Sequence, residues 1–369
     1  MKKFTKVLAL LIAGMFLVIG CSKNESQKVR KPSANIDSSK WIDNLIDGKA
    51  AAEKENKKIF LFFSADDQDA TSKQFKDNVF NTPEFLEVAT KDYVLVNLDF
   101  SNSLFESAQA NPIATEEEQK SATELMARLE ENMKDASIYN VQASPSFFLL
   151  TKEGYVIDEI IFKEVLKNID EFTNEMNSRA EKIAEYMNVL DSTKSGKVTE
   201  RVSAIERLFD ITPNNQRYPL KSFSKLVLDI DKKNESGVVG KHAIALANAN
   251  AMEHYMNRDA ESASEEFAKL SKNKFLTAQE KQQCFYTAGY LLSQSGSMNY
   301  SKIKEYFQNA YDADPESPYA ATIQAMVKSV EEMEAEFAKE VEAAKNPENN
   351  TPEVEETTPA TETPSDSKE

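Results

Sequence analysis

Cysteine, histidine, glycine and basic charge are all scarce in this 369-residue chain. It has two cysteines, Cys21 and Cys284, two histidines, nine glycines and one tryptophan. Two cysteines cannot build a disulfide framework, so stability has to come from packing. His242 and His254 stand twelve residues apart, without the close spacing of a metal pair. Lysine and arginine number 44 against 61 aspartates and glutamates, a net charge of -17. Nucleic acids and anionic lipid surfaces both select for basic patches, so neither is an expected partner. No cofactor and no metal is expected either. Apart from one segment near the N-terminus, no long uncharged apolar run occurs.

That segment opens the chain. MKKFTK is basic, VLALLIAGMFLVI is uncharged and mostly apolar, and Gly20-Cys21 follows. A basic start, a short apolar stretch and a small residue before a cut describe a secretory signal over residues 1–20, too short to span a bilayer. The four residues VIGC resemble the lipobox of bacterial lipoproteins. The resemblance implies that Cys21 is acylated and becomes the mature N-terminus, placing the protein in the cell envelope. Its acyl chains would then be its membrane anchor, on a periplasmic face or at the outer membrane. Ser22 after the cysteine favours the outer membrane; an ordinary secretory peptide is the alternative. With Cys21 lipidated, Cys284 is the one remaining thiol and no intrachain disulfide can form.

Residues 21–37 read as the lipidated cysteine and a polar tether. From residue 38 to 167 strands and helices alternate, the pattern of an α/β domain. SKWIDNLIDGKAAAEKENKK predicts a helix with Trp41, Leu45 and Ile46 on one face. KIFLFF and YVLVNLDF predict buried strands, with SKQFKDNVF and a second helix between them. Thr82 and Pro83 start that second helix. Thr115 to Glu118 predicts a capping box on an acidic helix, and SFFLL, TKEG and YVIDEIIF predict a hairpin. Residues 168–345 read almost wholly as helix, with stripes such as Phe172–Met176–Ile183–Met187. Residues 346–369 hold four prolines, six glutamates and no aromatic, the composition of a disordered acidic tail.

The order AAAEKENKKIFLFFS, VFNTPEF, YVLVNLD, YNVQASPSFFLLTKEGYVI resembles the thioredoxin-like proteins. The resemblance implies a cis bond before Pro145, opposite a redox turn. Aligned to the family's tryptophan-CxxC pattern, FSADDQDATSKQF puts Gln68 on the tryptophan, Asp69 on the first cysteine and Ser72 on the second. The turn is degenerate: Asp69, Ala70, Thr71 and Ser72 stand where the two thiols should. A carboxylate and a hydroxyl can neither attack a disulfide nor resolve one, so dithiol chemistry and any other catalytic residue are expected to be absent. Asp66, Asp67 and Asp69 could gather around a calcium ion, but helix capping explains them more simply. A carboxylate-pair hydrolase lacks any accompanying sugar cleft. Ser144 and Pro145, with Ala143 and the turn, form a candidate peptide-binding site by strand addition. Architecture alone would also keep such a proline.

Cys284 lies in the apolar pattern KQQCFYTAGYLL and reads as a buried structural residue. A lone reactive thiol at Cys284, serving an atypical oxidoreductase, is the catalytic alternative. FYTAGYLLSQSGSMNYSKIKEYFQNAYDADPES resembles a tetratricopeptide repeat, with Phe285, Ala288, Gly289, Phe307, Ala310 and Pro315 at its packing and stop positions. A weaker copy carries Ala263 and Phe267, and VTERVSAIERLFD with LKSFSKLVLDID reads as an earlier pair. The expected protein is a non-enzymatic binding or scaffold lipoprotein whose partners are other envelope proteins or peptides. Chaperone-like peptide capture at Ser144–Pro145 is the other reading.

Overall fold

A computed structural model of the protein describes residues 30–109 and 113–345. The expectations for the signal segment, for Cys21 and for the acidic tail fall outside the described residues. Four strands form one mixed sheet: β1 (Lys58–Ser64), β2 (Tyr93–Asp99), β3 (Ser146–Leu150) and β4 (Val156–Ile160), in the order β2-β1-β3-β4. β1 runs parallel to β2, in register from Lys58 opposite Tyr93 to Ser64 opposite Asp99. β3 is antiparallel to both β1 and β4, and Phe63 faces Ser146. The β3–β4 turn closes through Gly154, whose φ of 95° is one that glycine adopts without strain.

KIFLFF is unbroken apolar sequence because both faces of the sheet are covered. Phe60 and Phe62 point to one face with Leu95, Phe147 and Leu149. Ile59, Leu61 and Phe63 point to the other with Val94, Val96 and Phe148. The second face is covered by helix α1 (Leu45–Glu55) and by the end of a longer helix that reaches Ile138. The first face is covered by α2 (Ala70–Phe75), a single π turn (Lys76–Phe80) and α3 (Pro83–Asp92). α4 (Asn102–Ser107) and α5 (Glu116–Ile138) complete the crossover to β3, the latter opened by the Thr115–Glu118 capping box. Each fully buried Phe or Leu here contributes about 1.5–3 kcal/mol.

One expectation for the first helix is corrected. Trp41, Leu45 and Ile46 do not share a helical face, because α1 begins only at Leu45, capped by the Asn44 side chain accepting from the Asp47 amide. Ahead of it the chain is extended beside β2: the Ile42 amide donates to Leu95 O and the Asn97 amide to Ile42 O. Alternation in that extended segment sends Trp41 to the first sheet face, against Phe60, Phe62 and Phe80, and Ile42 to the second, where Leu45 of α1 also packs. The Trp41 indole donates to Phe80 O across 3.2 Å.

Among the described residues nine further α-helices and three single 3-10 turns follow. α6 (Ile169–Asn177), α7 (Ala180–Ser192), α8 (Val198–Ile211) and α9 (Lys221–Ile230) belong to the same apolar core as the first sheet face. Two single turns separate α8 from α9, and a third, Glu164–Lys167, precedes α6. Phe172 of α6 packs edge-on against Phe60, Phe80, Phe85 and Phe147. Tyr186, Leu208, Phe209 and Val227 extend the same core away from the sheet. The change of composition at residue 167 is therefore not a change of core. Polar contacts cross it as well: Arg179 Nε sits 2.8 Å from Asp158 Oδ2 of β4, and Gln216 donates to Glu159 across 2.6 Å.

A second core belongs to α10 (Val239–Met256), α11 (Ala260–Leu270), α12 (Ala278–Gln294), α13 (Tyr300–Ala313) and α14 (Ala320–Lys345). Each packs on the next in sequence. Small residues let the axes approach: a Cβ built on Gly289 would lie 2.9 Å from the Phe307 ring. Ser264 donates to Ala288 O, and Gln282 to Ala310 O and Asp314 O. The expected pair VTERVSAIERLFD and LKSFSKLVLDID does touch, but it is not the main packing of either helix. α8 packs mainly on α7 and α9 on α10, because the apolar faces of α8 and α9 are both drawn into the core beneath the sheet.

Candidate functional site

The turn after β1 is held by its own side chains. Gln68 N and Asp69 N both donate to Ala65 O, and Asp69, in extended conformation, caps α2. Its carboxylate accepts from the amides of Thr71 and Ser72 and from the Ser72 hydroxyl, the last at 2.8 Å. Ser72 is fully buried. Burial alone would raise the Asp69 pKa, but those hydrogen bonds outweigh it and hold the carboxyl below its usual range. The two positions aligned with the family's cysteines thus touch one another, as an anion and its hydroxyl donor.

The other aspartates of the turn have separate tasks. Asp67 accepts from the amides of Asn102 and Ser103, capping α4 from across the loop. Lys76 of the π turn bridges Asp66 at 2.9 Å and Asp99, the last residue of β2, at 2.8 Å. Burial raises the Asp66 carboxyl, with Lys76 working against it. Gln68, at the tryptophan position, donates to Phe100 O and to Asn102. The network ties the β1 turn to the β2 turn and turns each carboxylate toward its own donors. Among the described residues no group of three His, Cys, Asp or Glu side chains is arranged for a metal ion.

The Ser144–Pro145 peptide bond is cis. Because Ser146 lies opposite Phe63, this segment and the β1 turn occupy the same edge of the sheet. Ser146 Oγ donates to Ala143 O across 2.6 Å. Ala143 is exposed and Ser144 and Pro145 are half-buried.

Three residues at this edge escaped the sequence analysis. YVIDEIIF reads as one strand, yet β4 ends at Ile160, and Ile161 and Phe162 emerge beyond it. Ile161 and Val165 are 60% exposed and Phe162 38%. Phe147 opposite Ile160 fixes where they leave the sheet, at the edge that carries Ser144–Pro145. The Phe162 ring lies 6.0 Å from that of Phe75 on α2, with Lys167 Nζ 5.8 Å from its centre. The available signal was length: the eight-residue pattern YVIDEIIF outreaches its five-residue partner SFFLL.

The remaining reactive side chains lie elsewhere. Cys284 is buried in the second helical core, and burial, with Glu280 nearby, pushes its thiol up to about 12. His242 is buried between Ser224 and Glu206, and burial lowers its pKa. His254 lies at the surface near Asp259.

Residues 47–169 match the family model of a thioredoxin-like domain. Residues 238–336 match a model described as an uncharacterised protein C-terminal domain. No curated protein matches the chain. A solved structure titled "DsbH Oxidoreductase" is 20% identical over 43% of this chain and 95% of its own, with a TM-score of 0.26. Sheet order, site position and family match agree: the chain carries a thioredoxin-like α/β domain with a mixed four-stranded sheet, followed by a largely helical region.

Proposed function

We propose that the protein is an acyl-anchored envelope lipoprotein that binds other proteins without catalysing a reaction. Its thioredoxin-like half is redox-inactive, and its helical half is a tetratricopeptide-like platform. One observation supports the non-catalytic reading: Asp69 and Ser72, the residues that align with the dithiol, are spent on each other and on the α2 N-terminus. The exposed strip of Ile161, Phe162 and Val165 beside Ser144–Pro145 favours a second, compatible reading, capture of an extended peptide at this edge. A thiol enzyme built on Cys284 is disfavoured by burial, which keeps the sulfur protonated and inaccessible.

Cross-linking in cells from a photoreactive residue at position 162 tests the binding reading. A discrete product that disappears in an Ile161→Asp variant supports it, and a smear of unrelated chains supports peptide capture. No product from position 162, together with fast alkylation of native Cys284, would overturn both in favour of a thiol enzyme. Deleting residues 169–345 is not a usable control, because α6 to α9 complete the core of the sheet.

A further inference from the structure

His242 stands where the two apolar cores meet. Two residues of α10 flank it: Val239 belongs to the core beneath the sheet and Ala243 to the second helical core. Leu228 of α9 packs against both. His242 itself is 1% exposed, with the Phe209 ring edge-on at 5.2 Å. Its Nδ1 lies 3.2 Å from Ser224 Oγ of α9, and its Nε2 lies 2.9 Å from Glu206 Oε1 of α8. A serine, a histidine and a carboxylate in a row resemble a nucleophile and its base, but Ser224 is fully buried, out of reach of a substrate.

Charge decides which form of the ring this joint accepts. Glu206 and Lys241 are the charged groups that act on His242, and α9 meets it with the neutral Ser224 hydroxyl. Glu206 is already answered: Lys241 Nζ sits 2.7 Å from its other oxygen, and Arg217 feels both Glu206 and Asp210. Lys221, at the start of α9, is occupied by Glu253. Lys241 and Arg217 balance Glu206 and Asp210 while the ring is neutral. A neutral ring accepts the Ser224 hydrogen at Nδ1 and directs its own, on Nε2, at Glu206. A second proton would add an unbalanced positive charge away from water. It would also turn Nδ1 from acceptor to donor against the Ser224 hydroxyl. Burial, with Lys241 assisting, outweighs Glu206 and holds the ring's pKa below its ordinary value.

We propose that the joint of α8, α9 and α10 is an acid-released coupling between the two cores, with His242 as the group that takes up the proton. Undocked, His242 takes a proton near its ordinary value of 6.5; docked, it takes one only at lower pH. The docking it supports is therefore complete above the ordinary value, declines as pH falls below it, and levels off once the docked ring is protonated too. One proton is linked, so the equilibrium for undocking rises by at most about tenfold per pH unit in that window. The second core then gains freedom relative to the sheet while each core keeps its own packing. This device acts whatever the helical half binds, and it does not rest on the binding reading.

The chain from Ser22 onward retains every described residue and both histidines, so ring-labelled histidine gives one NMR signal for each. His254, at the surface, is the internal reference. His242 is expected to titrate at lower pH than His254. Nitroxides on Ala184→Cys of α7 and Glu305→Cys of α13, both exposed positions, report the distance between the cores, and buried Cys284 stays unlabelled. With His242 in place, a narrow distance at about pH 8 should broaden between about pH 6.5 and about pH 5. His242→Gln keeps an amide donor for Glu206 but cannot titrate, and its distance should hold. Lys241→Gln, a surface change, removes the like charge, so His242 should titrate higher and the broadening should shrink. That variant and the native titration still decide the matter if His242→Gln fails to fold. Titration of His242 at or above His254, a native distance that stays narrow in acid, or broadening that neither variant alters would overturn the proposal.

Discussion

Ser72 donates its hydroxyl hydrogen to the Asp69 carboxylate across 2.8 Å. These two residues stand three apart at the head of α2, where a dithiol would face a substrate, and they are in direct contact. Asp69 caps the helix through the Thr71 and Ser72 amides, so the cap itself holds the two side chains together.

Two cysteines placed there should therefore bridge. The Asp69→Cys, Ser72→Cys chain is expected to lose two titratable thiols under mild oxidant, with Cys284 unreacted until the protein is unfolded. Mass spectrometry after alkylation counts them. Persistence of both thiols would show that the turn does not hold these positions at bridging distance.

Removing the cap alone should weaken the turn. Asp69→Ala is expected to cost about 1–2 kcal/mol in urea unfolding. Since the folded carboxyl is depressed, its contribution is fully present above the unfolded value and is lost as pH falls through the folded one. The difference between wild type and variant should accordingly shrink toward acid pH.

The shared core predicts joint loss of stability across the residue 167 boundary. Phe172→Ala empties a site enclosed by the rings of Phe60, Phe75, Phe80, Phe85 and Phe147 and should cost about 3–5 kcal/mol. Near-ultraviolet signals from Trp41, on the sheet side, should shift to lower urea along with far-ultraviolet helix signal. A Trp41 transition that does not move would mean that the helices only lean on the sheet.

At the seam between α12 and α13, Gly289→Ala sets two effects against each other. Alanine favours the helix by about 1 kcal/mol, but its Cβ would press into the buried Phe307 ring. Overpacking of about 1–3 kcal/mol should prevail. The thermal midpoint then falls, whereas a rise would mean that the seam is looser than its contacts imply.

Asp135 on α5 faces Lys49 on α1, near the Tyr139 hydroxyl and Glu131. Burial raises its carboxyl to about 7, with Lys49 pulling it down and Glu131 pushing it further up. A raised carboxyl takes up a proton on folding between its ordinary value and that raised one. Its effect is thus to erode stability as pH climbs through that window. Asp135→Asn should flatten the slope between about pH 4 and about pH 7. Urea midpoints measured across that range check it, and parallel curves for the two proteins would refute it.

Much of the fold was legible because local chemistry and global placement agree. KIFLFF, YVLVNLD and SFFLL are short, mostly apolar runs that suit a sheet covered on both faces, and Thr82 and Thr115 each cap the helix that follows. The capping role of Asp69 was readable from its place before ATSKQF. Trp41 was misplaced because helical periodicity was assumed to begin before Asn44, and no local signal marks an extended entry that pairs with β2. Ile161 and Phe162 read as strand interior because a sequence does not state how long the neighbouring strand is.

By itself, the sequence determined the strand and helix types, the absence of a dithiol and the acidic balance. These depend on residue identity and on neighbours a few positions away. Only the tertiary structure decided that α6 to α9 finish the core of the sheet, that three neighbouring aspartates serve three different partners, and that Ile161 and Val165 remain exposed beyond β4. Each of those is set by which distant surface arrives to cover an apolar face or satisfy a carboxylate, and such arrivals are fixed by the packing of the whole chain.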